Sequence, residues 1–370
     1  MTQYHRVLLA VGITWCAALS ATFSQPVTAP GGALRKPTIP PGLKTADSLT
    51  PEDVKTINTT VAENFKALLD PNPAVQQSAR EAIVLDSRGA GELKASFINC
   101  YAEAMIREIM SPAIANAKSM RVRLNAAIAL AKVGESIKSA KLESAVLMFL
   151  GQNQPYALRL WGVSAAKGIL PEVVKVNAGQ KLMGAIVAAV TKYPTGAMAA
   201  EAYDTLQVRD ANVISVLLDV LAFRIGLYKK GLPEDPNTEV GVFTFLVQDG
   251  VWNGTLSAAH RLKVMQAFCD VLVLAAYQGD AQPPGPGPRE QLQDVVMGAV
   301  RALLVAAKHQ RDPDLESVAT VAERAARISG ANLGAAVKDL PAAIRKAKGF
   351  ESVVEPKLSP PPSTNPIVVN

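Results

Sequence analysis

The chain has 370 residues, of which 49% are hydrophobic, 19% charged and only 5% aromatic. That apolar share is ample for a core and excludes wholesale disorder, and at about 150 residues per domain the length suits two domains or one elongated body. Lys and Arg number 38 against 32 Asp and Glu, a formal charge of +6; no run reaches the basic block of about 5–8 residues that marks a nucleic-acid site, so nucleic acid is not an expected partner.

Residues 1–24 read as a secretory signal peptide. Arg6 supplies the positive start, Val7 to Leu19 an apolar run of 13 residues, and Ser20, Ala21, Thr22 and Ser24 the small-residue exit. The run is too short to span a bilayer as a helix, which takes about 20 residues. Cleavage after Ala21 or after Ser24 fits. No later stretch reaches about 18 uninterrupted apolar residues, so the mature chain is expected to carry no membrane span and to lie in the periplasm, cell envelope or outside the cell.

Residues 25–50 hold Pro26, Pro30, Pro37, Pro40 and Pro41 with Gly31, Gly32 and Gly42. Proline lacks an amide donor and glycine resists ordering, so the stretch reads as an extended linker. A second Pro-rich end, residues 350–370, carries Pro356, Pro360, Pro361, Pro362 and Pro366. Between them, residues 51–349 read as helix after helix. Thr50 is a good N-cap, Pro51 suits the first helical position, and Glu52 and Asp53 suit the positive end of the helix dipole. Val54, Ile57, Val61, Phe65 and Leu68 then follow helical spacing. Further helices are predicted near 74–86, 94–110, 120–133, 139–150, 155–170, 177–193, 195–207, 211–229, 257–277, 289–309, 313–329 and 332–347. Two insertions interrupt the series. Residues 231–254 contain the β-branched and aromatic run Val240 to Val247, which reads as a short strand or buried irregular segment. Residues 279–288, with Pro283, Pro284, Pro286 and Pro288, read as a long loop.

Alanine is the source of the apolar share: the sequence holds 58. In several helices an apolar residue is followed by small or apolar residues four, seven and eight positions on. Val75 leads Ala79, Ala82 and Ile83. Val122 leads Ala126, Ala129 and Leu130. Leu158 leads Gly162, Ala165 and Ala166. Met198 leads Ala202 and Leu206, with Thr205 breaking the pattern, and Val318 leads Ala322, Ala325 and Ala326. The first four anchors are 47, 36 and 40 residues apart. Small residues on one helix face let a neighbour approach closely, and a helix pair that cannot bury its own stripe stacks on the next pair.

The segment Met120 to Gly134, with Val122 and Arg123 adjacent, resembles the second helix of a HEAT repeat. Leu158 and Arg159 are a weaker echo, and the resemblance spans residues 70–210. It implies an all-α fold, an α-α superhelix of stacked antiparallel helix pairs, irregular in its C-terminal half. Family members mostly act as scaffolds, so the resemblance implies a protein partner meeting a surface near Arg123 and Arg159.

Little in the sequence supports chemistry. The P-loop, dinucleotide-binding, HExxH and CxxC patterns are all missing. Beyond Cys16 only Cys100 and Cys269 remain, 169 positions apart, and in a solenoid they lie too far apart to bond. His260 stands near a helix start and His309 at a helix end, where the dipole favours it. Neither has a second ligand at metal spacing. Asp312 and Asp314 read as caps of the next helix. No catalytic residue, metal ligand or cofactor is therefore expected. The alternative functions are an enzyme with a site at 231–254, where Phe243, Phe245 and Trp252 accompany Glu234 and Asp235, or an envelope structural protein binding an anionic glycan.

Overall fold

A computed structural model describes residues 38–89, 91–231, 233–283, 287–328 and 332–358. The expected signal peptide, the linker up to residue 37 and the tail beyond residue 358 lie outside the described residues. Within them the chain is all-helical, with no strand.

A single helical turn, α1 (Pro41–Lys44), precedes α2 (Pro51–Leu68) and α3 (Pro73–Asp86). Thr50 and Asp53 form a reciprocal capping box at α2, and the Asn72 side chain accepts the Ala74 N–H at α3. These bonds satisfy amides that a helix start leaves unpaired. Then follow α4 (Ala95–Ile109), the short α5 (Pro112–Ala115), α6 (Met120–Ile137), a 3-10 turn at Ala140–Leu142 running into α7 (Glu143–Leu150), and α8 (Tyr156–Lys175). After these come α9 (Gln180–Lys192), α10 (Gly196–Leu206) and α11 (Ala211–Leu227). Oxygen caps recur: Thr195 at α10, Asp210 at α11, and later Ser257, Asp312 and Asn332. Asp312 thus caps its helix as expected, while Asp314 sits in the first turn.

The helices pack in two ladders. In one, α2 packs on α4, α4 on the turn into α7, α7 on α9 and α9 on α11; in the other, α3 packs on α6, α6 on α8 and α8 on α10. Hydrogen bonds link successive pairs at separations close to the anchor spacing. Arg80 donates to the Asn125 side chain, 45 residues on, and Thr205 donates to the Val163 carbonyl, 42 residues back. The hydroxyls of Tyr156 and Thr195, 39 residues apart, lie 3.2 Å from each other. Thr205 is therefore not a defect in the small-residue pattern, because its buried hydroxyl is satisfied by carbonyls of Val163 and Glu201. Most of the pattern's other positions are core, with Ala79, Ala126, Ala129, Ala166, Ala202 and Ala326 fully buried, while Val75, Val318 and Ala325 are half-buried.

Pairing does not stop at residue 210. The segment 231–254 is helical, not a strand: a 3-10 turn at Pro236–Thr238 leads into α12 (Glu239–Leu246), and α13 (Asp249–Trp252) follows. Packing of Val242, Phe243, Phe245 and Leu246 overrides the strand preference of Val240 to Val247, while Gly241 and Thr244 stay on an exposed face. Val242, Phe243 and Leu246 are enclosed, and the Phe243 ring stacks on Phe268 at 5.0 Å. Phe268 belongs to α14 (Ala258–Asp280), which continues the first ladder beyond α11. The helix α15 (Pro288–Gln310) packs on both α12 and α14. The chain ends in α16 (Pro313–Ala326), α17 (Leu333–Val337) and α18 (Leu340–Lys346). The single helix expected at 332–347 is split, since Pro341 lacks the amide that would continue α17.

Both Pro-rich ends are anchored on the body over their described parts. Ile39 is buried and donates its N–H to Asp86 Oδ1 at 3.0 Å; Lys44 Nζ donates to the Arg88 carbonyl at 2.7 Å. At the other end Phe350 and Val353 are buried, and both backbone groups of Val354 bond the Gln266 side chain.

Candidate functional site

The two arginines singled out by the sequence meet at one loop. Residues 151–155 join α7 to α8, and three cations reach them. Arg123, half-buried on α6, donates to the Gln154 side chain. Arg159, on α8, donates from Nε to the Gly151 carbonyl at 3.1 Å and from Nη1 to the Ala188 carbonyl at 3.4 Å. Lys192, at the end of α9, donates to the Gln152 carbonyl at 2.9 Å. The sequence reading missed Lys192, because nothing in its local pattern places it beside a loop 40 residues earlier.

Arg159 is not a surface residue. Only 1% of it is exposed, so its expected role as a direct contact for a protein partner gives way to a role between helices, tying the C-terminal end of α7 to α9. Its guanidinium lies 5.5 Å from the centre of the Tyr193 ring, and Lys192 Nζ lies 5.4 Å from the same centre. Among the described residues neither Arg123, Arg159 nor Lys192 joins an ion pair. Beside them runs a groove of about 560 Å³, lined by Asn153, Arg159, Gly184, Ala188, Thr191 and Lys192 among others, with no carboxylate in its lining.

The 231–254 segment holds a second polar centre, and it is closed. Arg224 and Glu239 are both fully buried and pair at 2.9 Å. Arg224 also donates to the carbonyls of Pro194 and Glu234, each at 2.9 Å. Tyr203 donates to the same Glu239 oxygen at 3.4 Å. Burial pushes Glu239 above the ordinary carboxylate range, and the Arg224 guanidinium pulls it back. Burial likewise raises Tyr203 and Tyr228 well above the usual phenol value. These bonds tie α10, α11 and α12 to one another and to the loop carbonyls of Pro194 and Glu234. Phe243, Phe245 and Trp252, expected beside a catalytic site, are core residues, and Glu234 contributes its backbone carbonyl to Arg224.

The histidines serve separate places. His309 stacks on Trp252 with ring centres 6.2 Å apart, and its Nε2 lies 2.9 Å from the Val247 carbonyl. His260 begins α14, with its backbone N–H on the Ser257 cap. No group of three metal-ligating side chains occurs among the described residues. Cys100 and Cys269 are both free thiols. Burial raises Cys100 and pushes Cys269 up to about 12, neither being activated as a nucleophile. No described helix is long and apolar enough to cross a membrane. No protein-family model matches the chain, and no curated protein or solved structure resembles it closely enough to be counted as similar.

Proposed function

We propose that this protein is an exported, non-enzymatic scaffold with a HEAT-like repeat surface that binds a protein partner outside the cytoplasm. One observation carries the reading. Helix pairs bond to one another at sequence separations near 40 residues, as Thr205 does to Val163 and Tyr156 to Thr195. Stacked repeats of this kind expose long, regular faces suited to binding, and each repeat touches only its neighbours. The centre formed by Arg224 and Glu239 is closed and offers no site, and the enzyme alternative at 231–254 would need the open groove of about 510 Å³ beside it, lined by Asn237, Val240, Asp294 and Arg301. Export rests on the charge and apolar pattern of residues 1–24.

Two measurements test this. Mass spectrometry of the native protein is expected to find an N-terminus after Ala21 or Ser24; an intact Met1 defeats the export claim. Affinity capture with the tagged mature chain from its own envelope fraction is expected to return a partner that captures it reciprocally. The exposed edge of the surface near Arg123 is probed by Arg123→Glu. An unchanged partner yield places the contact elsewhere, and no reciprocal partner at all removes the scaffold reading.

A further inference from the structure

The groove beside Arg159 has a charge that its protein surroundings leave open. A buried guanidinium is ordinarily matched by a carboxylate, because an unmatched charge out of water is strongly disfavoured. Here the partners are two backbone carbonyls and the face of Tyr193. Nη2 of Arg159 has no partner among the described residues. Lys192 and Arg123 add two more unpaired positive charges around the same five-residue loop. The C-terminal ends of α7 and α9 point into this region, and each helix end carries roughly −0.5 of a charge. Two such ends offset only about one of the three positive charges. The groove's remaining polar groups, on Gln152, Asn153 and Thr191, are neutral hydrogen-bonding groups.

We infer that this groove binds an oxyanion, with the Arg159 guanidinium at its base and the Lys192 ammonium at its rim. With Nε and Nη1 held by the Gly151 and Ala188 carbonyls, Nη2 is the nitrogen left to donate a charge-assisted bond to an oxygen of a phosphate or similar group, and the Lys192 ammonium supplies a point charge beside it. Arg123 contributes field rather than contact, because its own guanidinium is held by Gln154. The site is independent of the export and scaffold readings: an isolated, non-exported chain has the same groove.

Gly184 provides the decisive variant. It lies inside α9, lines the groove, and a Cβ built on it meets nothing within 4 Å. Gly184→Glu therefore keeps the fold and places a carboxylate in the groove opposite Arg159. Inorganic phosphate is titrated into the full chain by calorimetry at constant ionic strength, so that general screening is held fixed. Saturable binding is expected. It should weaken roughly tenfold in Lys192→Ala, which removes one charge-assisted bond, and be lost in Gly184→Glu, whose melting temperature should equal or exceed that of the wild type. Arg159→Gln should also lose binding, but it is a buried residue, so Gly184→Glu decides if that variant fails to fold. A parallel titration with glucose 1-phosphate separates sources: tighter binding than inorganic phosphate assigns the site to a phosphate carried on a glycan, equal binding to the free ion. No saturable phosphate binding in the wild type, or equal affinity in Gly184→Glu, overturns the site and leaves Arg159 a packing residue.

Discussion

At Gly168 the backbones of α6 and α8 meet with no room for a side chain. A Cβ added to Gly168 would stand 2.4 Å from the Gly134 carbonyl carbon, 2.5 Å from Glu135 N and 2.6 Å from Gly134 O. All three are backbone atoms, so no side-chain rotation relieves the overlap. Ordinary contact begins near 3.4 Å, so Gly168→Ala must push the two helices apart by about 1 Å. A gap of that size forfeits a quarter to a half of each dispersion contact at the crossing. The residues that lose contact are Ala131, Ala165 and Ile169, all within the core. Overpacking of this kind costs about 1–3 kcal/mol, and a backbone clash belongs in the upper half of that range. Alanine's better helix propensity returns ~0.5–1 kcal/mol. The expected net loss is about 1–2 kcal/mol. Gly184→Ala is the internal control, since it gains the same propensity with open space around the new methyl; it should stabilise by ~0.5–1 kcal/mol. Urea unfolding followed by circular dichroism compares the three proteins. The expected order of midpoints is Gly184→Ala, then wild type, then Gly168→Ala. A Gly168→Ala midpoint at or above that of the wild type would refute the close crossing.

Glu239→Gln should lower stability by about 3–5 kcal/mol, because it leaves Arg224 charged and buried without its counter-ion; thermal melts of the two proteins check this, and a loss below 1 kcal/mol would show that the carbonyls of Pro194 and Glu234 suffice. Thiol labelling at pH 8 should modify the half-buried Cys100 slowly and Cys269 only after unfolding, since burial, with Asp270 and Glu355 nearby, holds Cys269 at about 12; Cys269 reacting in the native protein contradicts its packing. The Asp86 carboxyl sits above its ordinary value chiefly through burial, with the Ile39 N–H and Lys44 pulling it back. A raised folded value means that the stability it contributes is full below the unfolded value, ~3.9, and is lost as pH rises through the folded value. Asp86→Asn keeps an acceptor for Ile39 but removes the titration. Melting temperatures recorded from pH 7 to pH 4 should therefore show the wild type gaining on the variant as pH falls, and parallel curves would remove the buried-carboxyl argument.

The helices were legible in the sequence because local rules and burial agree in them. Thr50, Asn72, Thr195, Asp210, Ser257 and Asp312 are oxygen caps at the starts of helices whose apolar spacing is helical, so propensity, capping and core face all give one answer. Val240 to Val247 was read differently because its residues favour a strand when considered alone. Its partners decide otherwise: Phe268 lies on α14 and Val240 packs over Gly298 of α15, and neither is near in sequence. The same limit separates Arg123 from Arg159. Each follows an anchor of the small-residue pattern, Val122 or Leu158, by one position, and periodicity assigns them one role. The surroundings break the equivalence, because Gly151 in the α7–α8 loop and Ala188 in α9 offer carbonyls that draw Arg159 inward, while Arg123 meets only the end of the Gln154 side chain. A repeat pattern reports which face of a helix is covered. It does not report which backbone carbonyls a neighbouring loop leaves open, and that is what turned a surface arginine into a buried cation without a carboxylate.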